Sequence, residues 1–305
     1  MTGPFVKGTG PQEFLPDQLE DFLESELIPA VSGSYPVWEA ARYSLLAGGK
    51  RFRPRLLFAA ASLLGPPARE ALPFAAALEM VHTYSLIHDD LPSMDNDDYR
   101  RGRPACHIVY GEAAAILAGD LLLNRSYELM IRVAGKNPRP GVLRAMRVLG
   151  EAAGGDGMIL GQDRDLAMEK MPGEGVGISD VLWMSELKTS RLIRAALLMG
   201  GCLADAGDRV MEQLALAGTA AGIAFQIKDD ILDCVSNRDT LGKTPKKDQL
   251  AGKKTFVAMA GLEGAAALLG RKVSEVEGAL KELKSMACDT APLEGLMPAL
   301  LERKN

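Results

Sequence analysis

Two clusters of carboxylates are the residues in this chain best placed to do chemistry. The first is Asp89-Asp90-Leu-Pro-Ser-Met-Asp95-Asn-Asp97-Asp98 and the second is Asp229-Asp230-Ile-Leu-Asp233. On a helix, Asp229 and Asp233 stand about 40° apart and roughly 6 Å along the axis. Like charges so placed repel unless a cation sits between them. In the first cluster Pro92 predicts a helix stop just after Asp90, because proline disfavours helical geometry in the residue before it. Asp95 then returns on a turn to face Asp89. Both clusters offer only hard oxygen ligands, which suits Mg2+ shared among a few carboxylates, water and a substrate phosphate. An EF-hand starting at Asp95 needs Gly at its sixth position and Glu at its twelfth. Arg100 and Cys106 stand there and exclude it. An acidic cluster alone can be a solvated helix end, but each of these interrupts an apolar stretch, YSLIH before one and GIAFQI before the other.

Cations lie close by in the sequence. Gly48-Gly49-Lys50-Arg51-Phe52-Arg53-Pro54 is one short basic run, and Arg100-Arg101-Gly102-Arg103-Pro104 follows the first acidic cluster directly. Arginine forks and lysine point charges are what a diphosphate, with about three negative charges, calls for. The competing reading is mutual neutralisation of opposite charges in adjacent turns. His82 sits seven residues before Asp89, so the two share a helix face with Ser85 between them. A lone histidine on an apolar helix is ordinarily a hydrogen-bonded core residue; alignment with the acidic end points instead to binding or orienting a phosphate.

The elements that must position these groups read as helices. Hydrophobic residues make up 47% of the 305 and aromatics only 5%, a palette poor in the residues strands prefer. Periodicity predicts helices over 17–28, 36–47, 53–65, 69–90, 111–134, 139–153, 157–168, 179–200, 208–236, 248–270, 272–287 and 291–303, with no strand–helix alternation and no hairpin signal. Gly48-Gly49, Gly65-Pro66-Pro67, Pro138, Gly154-Gly155 and Pro172 to Gly177 punctuate them, and the last, MPGEGVG, is the expected mobile loop. The segments Ala71 to Asp90 and Asp208 to Asp233 both run apolar and end in acidic pairs, which implies buried helices lining a cavity with a charged mouth. No linker or repeat divides the chain, so the expectation is one all-α domain over 1–305.

The net charge of −5 gives no reason to expect nucleic acid or an anionic membrane as partner. Cys106, Cys202, Cys234 and Cys288 lack zinc or disulfide spacing, which fits a reducing cytoplasm. No uninterrupted apolar stretch approaches about 18 residues, because Glu79 and His82, Asp120, and Glu263 break the candidates. No membrane span and no signal peptide are expected.

Taken together, GGKRFRP (48–54), HTYSLIHDDLPSMDNDDYRRGRP (82–104), AGD (118–120), GQDRD (161–165), ELKTSRLI (186–193) and AFQIKDDILD (224–233) resemble the trans-prenyl diphosphate synthases, specifically the bacterial farnesyl and geranylgeranyl diphosphate synthases. The resemblance runs from about Asp17 to the C-terminus. It implies the isoprenoid synthase fold, an all-α single-domain helical bundle around a deep central cavity, and a homodimer. It implies that Asp89 and Asp95 bind two Mg2+ ions and Asp229 a third with Asp233 behind it, while Asp90 and Asp230 support them. Lys50, Arg53, His82 and Arg101 match positions that hold isopentenyl diphosphate. Arg100, Lys188, Lys243 and Lys253 match those that grip the allylic diphosphate, and Thr189 and Gln226 match the carbocation site.

The implied reaction ionises an allylic diphosphate, adds the double bond of isopentenyl diphosphate to the cation and releases diphosphate, itself the base that takes the proton. Two departures stand out. Lys188-Thr189-Ser190 replaces the family's Lys-Thr-Gly, and Lys246 replaces a Gly after Leu241-Gly242-Lys243. Tyr84, five residues before Asp89, resembles the bulky floor of synthases that stop at fifteen carbons, and Ser85 is small. Helical geometry sets Tyr84 about 7.5 Å deeper than Asp89 and well round from its face. The farnesyl product is favoured, with geranylgeranyl as the alternative. A terpene cyclase fits poorly, since DDILD stands where cyclases carry a different metal motif. A non-catalytic partner subunit also fits poorly, because both acidic motifs are intact.

Overall fold

The computed structural model describes residues 16–301 apart from 31, 66, 68, 172–174 and 236–252. Its helices are α1 (Pro16–Glu26), α2 (Pro36–Leu45), α3 (Phe52–Ala61), α4 (Ala71–Asp89), α5 (Cys106–Tyr110), α6 (Glu112–Lys136), α7 (Pro140–Ala153), α8 (Met158–Glu169), α9 (Ile178–Ser185), α10 (Arg191–Leu203), α11 (Asp208–Val235), α12 (Phe256–Ser285) and α13 (Ala291–Leu301). The expected loop at 172–177 lies partly, and Lys243 with Lys246 wholly, outside the described residues.

Helix α4 is buried along most of its length, from Ala71 and Phe74 to Tyr84 and Ile87. It packs along α6 on one side and α3 on another, while α10 fills the space between α3, α7 and α11. Small residues permit this density: Ala75, Ala76 and Ala77 are fully buried in α4, as are Ala217 and Ala221 in α11. A second apolar cluster, with Met168, Val181, Met184, Ile223, Ile227 and Phe256, joins α8, α9, α11 and α12. By length and mean hydropathy (1.2 over its best window) α11 could cross a membrane, yet 56% of that window is buried within the fold. It is a core helix that ends in acidic residues.

Four expectations are corrected. A two-residue antiparallel ladder, β1 (Tyr99–Arg100) with β2 (Arg103–Pro104), follows the first acidic motif. Its loop residues Arg101 (φ 54°) and Gly102 (φ 74°) both have positive φ, as a type I′ turn requires. Arg-Gly lacks the usual Asn-Gly or Asp-Gly signal, and strands this short carry no period. The short α5 lies ahead of α6, separated from it by Gly111 at φ 84°. The helix expected over 179–200 is interrupted by a π-helical turn, Glu186–Ser190. Of the helix expected from 248, residues 248–252 lie outside the described residues and 253–255 are not helical. From Phe256 the helix runs on through Gly270 and Arg271, where a break was expected, and its kink is at Gly261 (φ 70°, ψ 170°).

Candidate active site

Helix α4 ends at Asp89, as Pro92 requires, and the chain turns back so that the Asp95 amide donates to the Asp89 carbonyl at 2.9 Å. The Asp97 amide likewise donates to the Asp90 carbonyl at 3.2 Å. This turn brings the Asp89 and Asp95 carboxylates onto one side. Burial raises the Asp89 carboxyl above its ordinary value and, although Lys188 and Arg100 pull it down, Asp95 and Asp90 add to the rise. Burial pushes Asp95 the same way, but Lys188 and Lys253 outweigh it and hold Asp95 low.

Asp90 has a different occupation. Its buried carboxylate takes the Arg100 fork, with Nε at 3.0 Å from Oδ1 and 3.1 Å from Oδ2, and Nη2 also bonds Oδ1. Arg100 lies 3.7 Å from Asp97 as well. Neutralisation across adjacent turns therefore holds for this pair, and it aims the guanidinium along the carboxylate cluster.

Two lysines tie the first motif to distant elements. Lys188, in the π turn, donates to Asp165 Oδ2 on α8 at 2.6 Å. Burial lowers its pKa, but Asp165, Asp89 and Asp95 together raise it, so it stays charged. Lys253 reaches Asp95 Oδ1 at 3.3 Å and Glu169 Oε1 at 3.8 Å. π-helical turns recur at functional sites because the extra residue re-aims side chains. Here the turn is clamped from both sides. A Cβ on Gly161 of α8 would meet the Lys188 amide nitrogen at 2.2 Å, and one on Gly222 of α11 would meet Ser190 Cα at 2.4 Å. Ser190, where the family has Gly, fits because its hydroxyl donates to the Thr219 carbonyl at 2.8 Å.

The second motif converges on the same segments. Thr189 Oγ1 donates to Gln226 Oε1 at 3.0 Å, Gln226 Nε2 to Asp230 Oδ1 at 3.0 Å, and the Phe256 amide to Asp230 Oδ2 at 2.8 Å. Asp230 thus staples α11 to the start of α12, three residues beyond Lys253. Asp229 and Asp233 are partly buried on α11, one turn apart. The second motif thus reaches the π turn through Gln226 and the start of α12 through Asp230. Lys253, three residues before Phe256, pairs with Asp95 of the first motif, and the Lys188 charge acts on Asp89 and Asp95.

The remaining expected residues cluster beside α4. Arg53 Nη1 lies 3.2 Å from His82 Nε2. Burial, then Arg53, Arg101, Arg100 and Arg51, hold His82 well below the usual imidazole range. The ring is neutral, Nε2 accepts from Arg53, and the proton is assigned to Nδ1. Arg101 Nη1 donates to the Gly48 carbonyl, and Lys50 is exposed next door. Tyr84 is only 6% exposed and stands edge-on to His88 with ring centroids 5.8 Å apart. Burial, with Tyr127 and Asp89 adding, pushes its hydroxyl up to about 12, and that oxygen has no partner among the described residues. The Ser85 hydroxyl turns back to the His82 carbonyl at 2.9 Å.

Asp165, Glu169 and Arg51 were given no role by sequence. A signal existed for the first two. At i and i+4 they share a face of α8 within and just past GQDRD.

Among the described residues no three acidic, His or Cys side chains converge closely enough to hold an ion by themselves. That suits Mg2+, which keeps several waters and draws on substrate phosphate. The donor chemistry fits too, because Asp89 is a partly buried carboxylate crowded by Asp90 and Asp95, the repulsion that a cation relieves.

Residues 36–286 match the model of the polyprenyl synthetase family. The chain is 43% identical over 246 residues to farnesyl diphosphate synthase of Micrococcus luteus, covering 81% of this chain and 83% of that protein. It is 42% identical over 270 residues to the chloroplastic geranylgeranyl pyrophosphate synthase 9 of Arabidopsis thaliana, covering 88% and 74%. The structure matches that of a geranyltransferase from Helicobacter pylori, solved with magnesium and isoprenyl diphosphate, with a TM-score of 0.80, 33% identity and coverage of 94% and 93%. The sequence motifs, the all-α fold and these matches agree: the chain belongs to the polyprenyl synthetase family, as a trans-prenyl diphosphate synthase, and is a prenyltransferase.

Proposed function

We propose that the enzyme condenses isopentenyl diphosphate with dimethylallyl and then geranyl diphosphate to give farnesyl diphosphate, and that it requires Mg2+. The observation that carries the reading is the position of Lys188 and Lys253 against Asp165, Asp95 and Glu169. Cations interleaved with carboxylates in one partly buried cluster are what a metal-bound diphosphate needs on its two sides.

In this reading Asp89 at the end of α4 and Asp95 on the turn after it, with Asp229 and Asp233 from α11, would hold Mg2+. Asp90 holds Arg100. Mg2+ held there would supply charge neutralisation of the diphosphate leaving group, which ionisation of the allylic C–O bond needs. The chain's own cations do the rest of the gripping: Arg100, Lys188, Lys253 and, by its match to the family, Lys243. Thr189 and Gln226 present oxygen dipoles beside the developing allylic cation. Lys50, Arg53, His82 and Arg101 hold isopentenyl diphosphate, so its double bond faces that cation. His82 Nε2 already accepts from Arg53, so the departing diphosphate is left as the base for the final proton.

Tyr84 is the proposed floor for the growing chain, which favours the fifteen-carbon product; the twenty-carbon product is the alternative. The active form is proposed to be a homodimer of single-domain subunits. Ile108 and Val109 on α5 and Ile116, Leu117 and Ile131 on α6 are exposed apolar side chains that a second copy would cover. Radiolabelled isopentenyl diphosphate, incubated with each allylic primer and resolved by chromatography, tests the reaction and the product length together. Chelation should abolish incorporation and added Mg2+ restore it. No incorporation with any primer overturns the reading.

A further inference from the structure

The run Gly48-Gly49-Lys50-Arg51-Phe52-Arg53 contains three cations, and the structure separates their tasks. Arg51 is buried, its side chain 3% exposed. It uses four of its five N–H donors. Nε and Nη2 go to Glu20 Oε1 and Oε2 on α1 at 2.6 and 2.8 Å, Nη1 to Glu79 Oε1 on α4 at 2.9 Å, and Nη2 to the Leu45 carbonyl at 2.7 Å. Glu79 is as buried as its partner. A guanidinium so occupied has no fork left for an anion.

Its backbone explains the arrangement. Arg51 is in the left-handed region at φ 44°, ψ 43° and immediately precedes α3. Its carbonyl accepts the Arg55 amide at 3.1 Å. The conformation of this one residue therefore sets where Lys50 departs and where Arg53, in the first turn, begins. L-residues avoid that region, so something must hold Arg51 there, and the four side-chain bonds do. The same cluster fixes α3 against α4. Glu79 lies three residues before His82 on α4, and Arg53 meets His82 at 3.2 Å. The Gly49 side of the loop is held from above, where Arg101 packs on it and donates to Gly48.

We infer that Arg51, anchored by Glu79 and Glu20, is a positioning residue for the isopentenyl diphosphate subsite, holding Lys50 and Arg53 in register with His82 without touching substrate itself. The inference rests on the assignment of Lys50, Arg53, His82 and Arg101 to that subsite.

The test is steady-state kinetics with each substrate varied in turn on Arg51→Lys, Glu20→Gln and Lys50→Ala, with calorimetric titration of isopentenyl diphosphate and thermal melting on each. Lysine keeps the charge but loses the fork. Glu20→Gln weakens the half-exposed arm and leaves the buried Arg51–Glu79 pair intact, so it decides the matter if Arg51→Lys fails to fold. Arg51→Lys and Glu20→Gln should raise KM for isopentenyl diphosphate about tenfold, as misplacement of a substrate-positioning group does. KM for geranyl diphosphate should stay within about twofold, and calorimetry should show the same weakening. If both variants lower only the melting temperature or kcat, while Lys50→Ala raises KM for isopentenyl diphosphate, Arg51 is scaffold and the inference is overturned. If Lys50→Ala also leaves that KM unchanged, the subsite assignment falls and takes the inference with it.

Discussion

Lys188 and Asp165 form a 2.6 Å ion pair between the π turn and α8, on the flank of the site facing Asp89 and Asp95. A lysine has three donors, so Asp165 can hold one N–H and leave the others for the diphosphate that Lys188 is proposed to grip. Asp165→Asn removes the charge that fixes that aim and keeps the size. The expected result is a fall of about 10- to 100-fold in kcat/KM for geranyl diphosphate, with the melting temperature little changed. Steady-state kinetics at saturating isopentenyl diphosphate checks it. Unaltered kcat/KM would remove Asp165 from the site.

Asp230 connects three elements at once. It accepts from Gln226 through one oxygen and from the Phe256 amide through the other, and Gln226 in turn accepts from Thr189. Asparagine has one acceptor oxygen, so with Gln226 in its present orientation Asp230→Asn leaves either the Gln226 amide or the Phe256 N–H without that acceptor. An unsatisfied buried donor costs about 1–3 kcal/mol, and urea unfolding should show a loss of that size. Because Lys253 sits three residues before Phe256, KM for the allylic substrate should rise as well. A stable variant with wild-type KM would mean that the chain of bonds does not position Lys253.

Much of this arrangement was legible before any coordinates. The apolar runs that end in acidic pairs mark α4 and α11, and Pro92 forecasts the turn that returns Asp95 to Asp89. The parts that were not legible depend on contacts between distant segments. Asp90 looks like a fellow metal ligand in sequence, and only the fold shows Arg100 curling back onto it. The π turn needs α8 and α11 pressing from both sides at Gly161 and Gly222, which no local period encodes. The basic run at 48–54 shows three cations that sequence cannot rank. Burial alone separates Arg51, which is consumed by Glu20 and Glu79, from exposed Lys50. The break expected at Arg271, after Gly270, falls instead at Gly261 for a simpler cause: glycine is tolerated inside a helix, and within α12 only Gly261 takes positive φ.

Tyr84 tests product length. Its ring is almost fully buried on α4 beside His88. Tyr84→Ala removes that bulk, and the expected outcome is a shift from the fifteen-carbon toward the twenty-carbon product in chromatography of dephosphorylated prenols. Truncating a buried aromatic also costs about 3–5 kcal/mol, so the assay should be run well below the variant's melting temperature. A product distribution that stays at wild-type length would place the floor elsewhere.

Gly161 offers the sharpest probe of the π turn, because the atom opposing it is backbone. A methyl group there would lie 2.2 Å from the Lys188 nitrogen and 2.6 Å from its Cα, so α8 and the turn must move apart. Overpacking of this kind costs about 1–3 kcal/mol. The separation also lengthens the reach from Lys188 to Asp165 and shifts Thr189 relative to Gln226. Gly161→Ala should therefore lose allylic kcat/KM by more than its destabilisation explains, while KM for isopentenyl diphosphate, whose proposed subsite lies on the α3–α4 side, holds near wild type. Thermal melting and kinetics with each substrate varied separate the two effects. An equal rise in both KM values would show that the glycine serves the fold as a whole and has no particular hold on the Lys188 turn.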